Sequence, residues 1–223
     1  FTTANTFVTM ALSDGIYYWR ARLTRNNLTS EWSAAFVFRV DTLPPQPPAL
    51  LSPDNGDSTN DQTPVLAWSS PPENSYPLLF LVEIATDSQF TNVVATSGWI
   101  GKENWEAESS LSEGLYYWRV RARDNAGNTG GFSEGWVFRV DVSPPAAPSP
   151  SSPKDNQLVS TRTPKLTWAS VTDVSGVSYD IEVDGAIIAT GISENEYAIP
   201  LGHSLADGVH SWRVRAVDGA GNI

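Results

Sequence analysis

The chain of 223 residues contains no cysteine. That single absence removes disulfides, thiolate metal sites and cysteine nucleophiles together, and it argues against a disulfide-built receptor fragment. Histidine is nearly absent too, with only His203 and His210. His203 sits in a loop, and His210 stands where earlier copies of the same segment carry a tyrosine, which points to a packing role. No Gly-x-Ser-x-Gly elbow, phosphate-cradling glycine loop or His-Glu-x-x-His pair is found. The chain therefore reads as a non-enzyme, with an unrepeated carboxylate pair of the glycosidase type as the one catalytic alternative. Basic residues are few, 14 Lys and Arg against 25 Asp and Glu, giving a formal net charge of −11. Phosphate backbones require clustered cations, so nucleic acid is excluded as a partner. The acidity suits a soluble surface, a cation-rich medium or calcium. No run of about 18 apolar residues is present, so no membrane-spanning helix is expected. No charged-then-apolar leader precedes Phe1, and the sequence reads as a piece of a longer chain.

What is present is aromatic and repetitive. Nine Trp, seven Tyr and eight Phe provide core material. The segment Leu115-Tyr116-Tyr117-Trp118-Arg119-Val120-Arg121-Ala122-Arg123 runs into the turn Asp124-Asn125-Ala126-Gly127-Asn128. It recurs as Ile16–Arg22 and as Val209–Asn222. Val37–Asp41, Pro44-Pro45, Thr63-Pro64 and Trp68 each recur one hundred positions later. A period near 100 is too long for a solenoid of about 20–50 residues per unit, so each repeat is a whole domain.

The repeats divide the chain into 1–43, the C-terminal part of one unit; 44–142, a complete unit; and 143–223, a unit that lacks its last strand. In the first, Thr6–Leu12, Ile16–Leu23 and Ala35–Asp41 read as strands. In the second, Pro64–Trp68, Leu78–Ile84, Val93–Ile100, Asn104–Glu108, the signature segment and Trp136–Val140 follow one another. Short alternating strands separated by Gly, Pro, Asn and Ser turns, with no helical periodicity, predict an all-β sandwich. The stretches 42–48 and 142–148 are proline-rich, and proline fixes its own backbone and donates no ladder hydrogen bond. They are expected to be extended, semi-rigid linkers.

Alternation assigns faces. Tyr116, Trp118, Val120 and Ala122 share a core face, whereas Tyr117, Arg119, Arg121 and Arg123 share the other. Phe80, Val82 and Ile84 point inward and Glu83 outward. Tyr179, Ile181 and Val183 point inward, with Asp180, Glu182 and Asp184 outward. If these strands are neighbours, carboxylates face arginines across them, each pair contributing about 0.2–1 kcal/mol. Trp19, Trp68, Trp118, Trp168 and Trp212 fall on core faces by repeat position.

Four features together resemble fibronectin type III-like and bacterial immunoglobulin-like repeats of secreted prokaryotic surface proteins. They are Trp68 and Trp168, Leu111 ahead of the Tyr-x-Trp-x-Val-x-Ala strand, the Asp-x-x-Pro-Pro linkers at 41–45 and 141–145, and the Asp-x-Ala-Gly-Asn turns at 124–128 and 218–222. The resemblance covers the whole chain. It departs at His210 and at Arg25-Asn26-Asn27, which replaces the acidic turn in the first unit. It implies tandem β-sandwiches joined by Pro-rich linkers and serving as stalks, spacers, adhesins or accessory modules at the cell surface or outside the cell.

Candidate sites are few. Asp41 and Asp141 end their units, and Asp124 and Asp218 sit in turns that could face the next unit. These four are calcium candidates, with capping of their own turns as the competing reading for Asp124 and Asp218. No other cofactor is implied. Trp99 and Trp105 have no counterpart in the third unit and are candidate contacts for a glycan or a protein interface. Asn27-Leu28-Thr29 is a glycosylation sequon. Units cut mid-sandwich would leave open edges, so the expected partners are adjacent repeats or neighbouring copies sharing strands head-to-tail in a filament or surface layer. An adhesin or carbohydrate-binding module, with surface glycans or cell-surface proteins as partners, is the alternative.

Overall fold

The computed structural model describes residues 6–73 and 76–223. Its first segment contains β1 (Gly15–Trp19), β2 (Thr24–Arg25), β3 (Leu28–Thr29) and β4 (Phe36–Val40). β1 and β4 form an antiparallel ribbon, and β2 and β3 a small hairpin. Asn26 and Asn27 close that hairpin with φ of 49° and 61°, the left-handed pair that a two-residue turn requires and asparagine tolerates. Residues 6–12 form no strand, against the expectation, because no described strand offers them a ladder. Trp19 is likewise not a core residue here. It is 52% exposed and stacks on Phe36 across the ribbon.

The second unit is a two-layer sandwich. Its strands are β5 (Ala49–Ser52), β6 (Asp57–Thr59), β7 (Leu66–Ser69), β8 (Leu79–Ala85), β9 (Val93–Ile100), β10 (Asn104–Trp105), β11 (Gly114–Arg123), β12 (Thr129–Phe132) and β13 (Trp136–Val140). One layer runs β10-β7-β5, and the other β6-β13-β11-β8-β9 with β12 on the end of β11. The expected strand at 104–108 shortens to β10, as Ala107 turns into the core. The inward rows are those that alternation assigns. Trp68, Trp118, Phe138, Leu66, Val82, Ile84, Val120 and Val140 are all buried in one cluster. Trp68 meets Phe80 edge-on at 5.6 Å, and Trp118 meets Trp136 at 6.3 Å.

The third unit repeats this plan with β14 (Pro150–Ser152), β15 (Lys165–Trp168), β16 (Val177–Val183), β17 (Ala186–Ile192), β18 (Glu196–Ala198) and β19 (Trp212–Asp218). Its layers are β14-β15-β18 and β17-β16-β19. Trp168 and Tyr179 meet edge-on at 5.3 Å in its core. Trp212 is only half-buried at the rim of that core and donates its indole N–H to Pro153 O at 3.3 Å.

Candidate functional site at the repeat joints

The most specific chemistry lies where one unit meets the next. An Asp that opens a five-residue turn can accept several amides at once, which is why Asp-x-Ala-Gly-Asn closes tightly. Asp124 Oδ1 accepts the Asn128 amide at 2.8 Å and Oδ2 accepts Asn128 Nδ2 at 2.9 Å. Asp218 does the same with Asn222, at 2.8 and 2.7 Å. Each turn thereby aims its asparagine side chain at the preceding unit, not the following one. Asn128 Nδ2 donates to Asp41 O at 3.0 Å, and Asn222 Nδ2 donates to Asp141 O at 2.9 Å. Both joints are thus latched by the same hydrogen bond, from the turn of one unit to the carbonyl just after the closing strand of its predecessor.

The acidic residues are arranged differently at the two joints. At the second, one carboxylate oxygen each from Asp141, Asp173 and Asp218 lie within 4.8 Å of one another. Asp173 belongs to the loop between β15 and β16. Its Oδ1 accepts the Ser175 amide at 2.9 Å and the Ser175 hydroxyl at 3.0 Å, and the amide holds its carboxyl below the usual carboxylate range. Gly219, inside the turn, lets the Ser175 carbonyl approach to a place where a Cβ would sit 2.0 Å from the oxygen. The same positions in the first joint are Asp41, Glu73 and Asp124. There Arg39 stands 4.0 Å from Asp41. Asp173 was missed in the sequence because it lies in a loop with no periodicity. Only its place one hundred residues after Glu73 marks it.

The remaining candidates are separated. Trp99 sits on the outer face of β9 opposite Leu81. Arg123 lies over its ring at 4.4 Å and Arg121 at 5.5 Å. Trp105 faces the other way, from β10 opposite Leu66, and packs against the core. It also lines a groove of about 420 Å³ with Glu108 and Ser109–Ser112. Asn27 is exposed in the β2–β3 turn. Carboxylates meet only part of the arginine row, since Arg121 and Arg123 lie over aromatic rings. Arg119 donates Nε and Nη2 to Glu83 Oε2 at 3.0 and 2.7 Å, and Arg215 does so to Asp180 Oδ2 at 3.0 and 2.8 Å. Arg213 reaches Glu182 at 2.6 Å.

His210 carries a pH dependence. Tyr17 and Tyr116 donate their hydroxyls to the carbonyl four residues earlier, Ser13 O at 2.7 Å and Ser112 O at 2.9 Å. His210 takes that position, with Nε2 2.9 Å from Ala206 O, while Nδ1 stands 2.6 Å from Asp184 Oδ2. Both ring nitrogens face acceptors, so both bonds form only in the imidazolium. The hydrogen bond to Asp184 accordingly raises the His210 pKa above 6.5, and the same bond lowers that of Asp184 below 3.8. A raised folded-state pKa means that the His210 contribution is complete below about pH 6.5 and is lost as pH rises through the folded value. The Asp184 contribution is present above about pH 4 and is lost in acid. The melting temperature of the third unit is expected to fall on the alkaline side of pH 6.5. His210→Tyr, which retains the bond to Ala206, removes that fall. A flat profile for the unaltered chain between pH 6 and 8 would refute the assignment.

No family model matches the sequence, and no curated protein does. Solved structures do match. The fibronectin(III)-like modules of Clostridium thermocellum CbhA are similar at 19% identity, over 78% of this chain and 87% of theirs, with a TM-score of 0.52. The FN1–FN3 domains of chicken CNTN1 match at 18% identity, over 92% of this chain and 71% of theirs, with a TM-score of 0.48. With the strand order above, the first of these shows the fold, a tandem of fibronectin type III-like β-sandwiches.

Proposed function

We propose that the chain is a non-catalytic structural segment of an extracellular repeat protein, a stalk or spacer that holds its units in a set order and orientation. The observation that carries this reading is the repeated latch. Asn128 to Asp41 O and Asn222 to Asp141 O are the same bond at successive joints, and a device repeated at each joint propagates one geometry along an array. Pro45 and Pro48 are buried beside the first joint, which stiffens it further. Small-angle scattering tests this. The expected particle is a rod with a single maximum dimension, and Asn128→Ala with Asn222→Ala broadens its distance distribution. A broad distribution in the unaltered chain would refute the spacer reading. Micrographs of the same sample read out head-to-tail association between copies.

A carbohydrate-binding module is the second reading, favoured by the groove that Trp105 lines together with Glu108, Ser109, Ser110 and Ser112. Aromatic edges with nearby hydroxyl and carboxylate groups suit sugar rings. A glycan array separates its forms. Signal lost on Glu108→Ala assigns the groove, signal lost on Trp99→Ala assigns the outer face, and an array without signal removes the reading.

A further inference from the structure

We infer that Asp141, Asp173 and Asp218 form a divalent-cation site at the second joint, of the oxygen-only kind that calcium prefers. Three carboxylates converge within 4.8 Å. Asp141 and Asp218 are buried, 2% and 6% exposed. The decisive atom is Asp141 Oδ2, which is buried and has no hydrogen-bond partner, while Oδ1 of the same group accepts the Ser143 amide at 3.2 Å. A buried carboxylate oxygen without a donor is costly unless a cation faces it. Among the described residues, none of the three takes part in an ion pair. The first joint differs, because Arg39 approaches Asp41.

The donor set selects the ion. It contains no nitrogen or sulfur, which disfavours zinc and copper. Oxygens on opposite sides of a calcium ion at 2.3–2.6 Å lie at most about 5 Å apart, and calcium accepts the irregular, flexible oxygen sets that magnesium does not. The three oxygens lie within 4.8 Å of one another, inside the reach of one calcium ion, and solvent can complete the six to eight ligands around the half-exposed Asp173. Asp141 closes the second unit, whereas Asp173 and Asp218 belong to the third. Binding therefore ties the two units together across the bond from Asn222 to Asp141 O. The site stands on its own geometry, and its failure would leave the latch and the spacer reading intact.

Calorimetric titration of the full chain with calcium chloride tests the site. One ion per chain is expected, with a dissociation constant of about 10⁻⁵–10⁻³ M. Melting in about 10 mM calcium should exceed melting in chelator by several degrees. Asp173→Asn, which keeps an oxygen for the Ser175 amide, should weaken binding at least about tenfold, and Asp141→Asn should do the same. If Asp141→Asn does not fold, Asp173→Asn decides. Absence of both heat and a melting shift in the unaltered chain would overturn the site. Undiminished binding in Asp173→Asn would overturn it by placing the ion elsewhere.

Discussion

Trp118→Ala is expected to unfold the second unit at ordinary temperatures or bring it close to doing so. Trp118 is fully buried on β11, the strand flanked by β8 and β13, and it meets Trp136 edge-on. Removing such a side chain costs about 3–5 kcal/mol, because the lost transfer energy adds to the cavity left behind. Against a domain stability of about 5–15 kcal/mol, that is about a fifth of the total or more. The melting transition of the unit should fall by about 12–40 °C, at roughly 4–8 °C per kcal/mol. Trp19→Ala supplies the contrast. Trp19 holds the same place in the repeated motif but is 52% exposed, with one stacked neighbour, so a loss of about 1 kcal/mol or less is expected from a cross-strand pair. Differential scanning calorimetry of both variants measures this. Equal losses would show that motif position, and not burial, sets the contribution.

That contrast also marks what was legible in the sequence. The alternation along Leu115–Arg123 gave the core row and the facing carboxylates. Glu83 against Arg119 and Asp180 against Arg215 fall into register as expected. These features were readable because long alternating strands carry a period. Short edge strands carry none. Ala49–Ser52, the parallel pairing of Asp57–Thr59 with β13, and Thr129–Phe132 on β11 are each four residues or fewer, and their partners rather than their composition make them strands. The exposure of Trp19 was hidden for a related reason, since alternation assigns a face but cannot say whether a second layer covers it. At the joints, the aspartates capping their own turns were legible from the Asp-x-Ala-Gly-Asn pattern. The direction of the latch and the arrival of Asp173 were not, because both depend on how one unit seats against another.

The joint itself can be probed through a single methyl group. Gly130 lies buried in β12, two residues beyond the latch residue Asn128. A Cβ there would stand 2.2 Å from Pro45 O and 3.2 Å from its carbonyl carbon, well inside van der Waals contact. Backbone must therefore move, and Pro45 is poorly placed to yield because its φ is fixed and Pro44 precedes it. The displacement passes either to β12 or to the linker. Overpacking of this kind costs about 1–3 kcal/mol or more. If the linker moves, Asp41 O is carried away from Asn128 Nδ2 and the first joint loosens. Gly131, one residue on, has nothing within 4 Å of the equivalent Cβ. Gly131→Ala should be neutral or slightly stabilising, because alanine restricts the unfolded chain more than glycine does. Gly130→Ala is thus expected to lower the melting temperature of the second unit and to broaden the angle between the first and second units in scattering, while Gly131→Ala does neither. A Gly130→Ala chain that is less stable but keeps its interdomain angle would show that β12 absorbs the strain. The linker would then be held by its prolines and the Asn128 bond, without help from the close approach at Gly130.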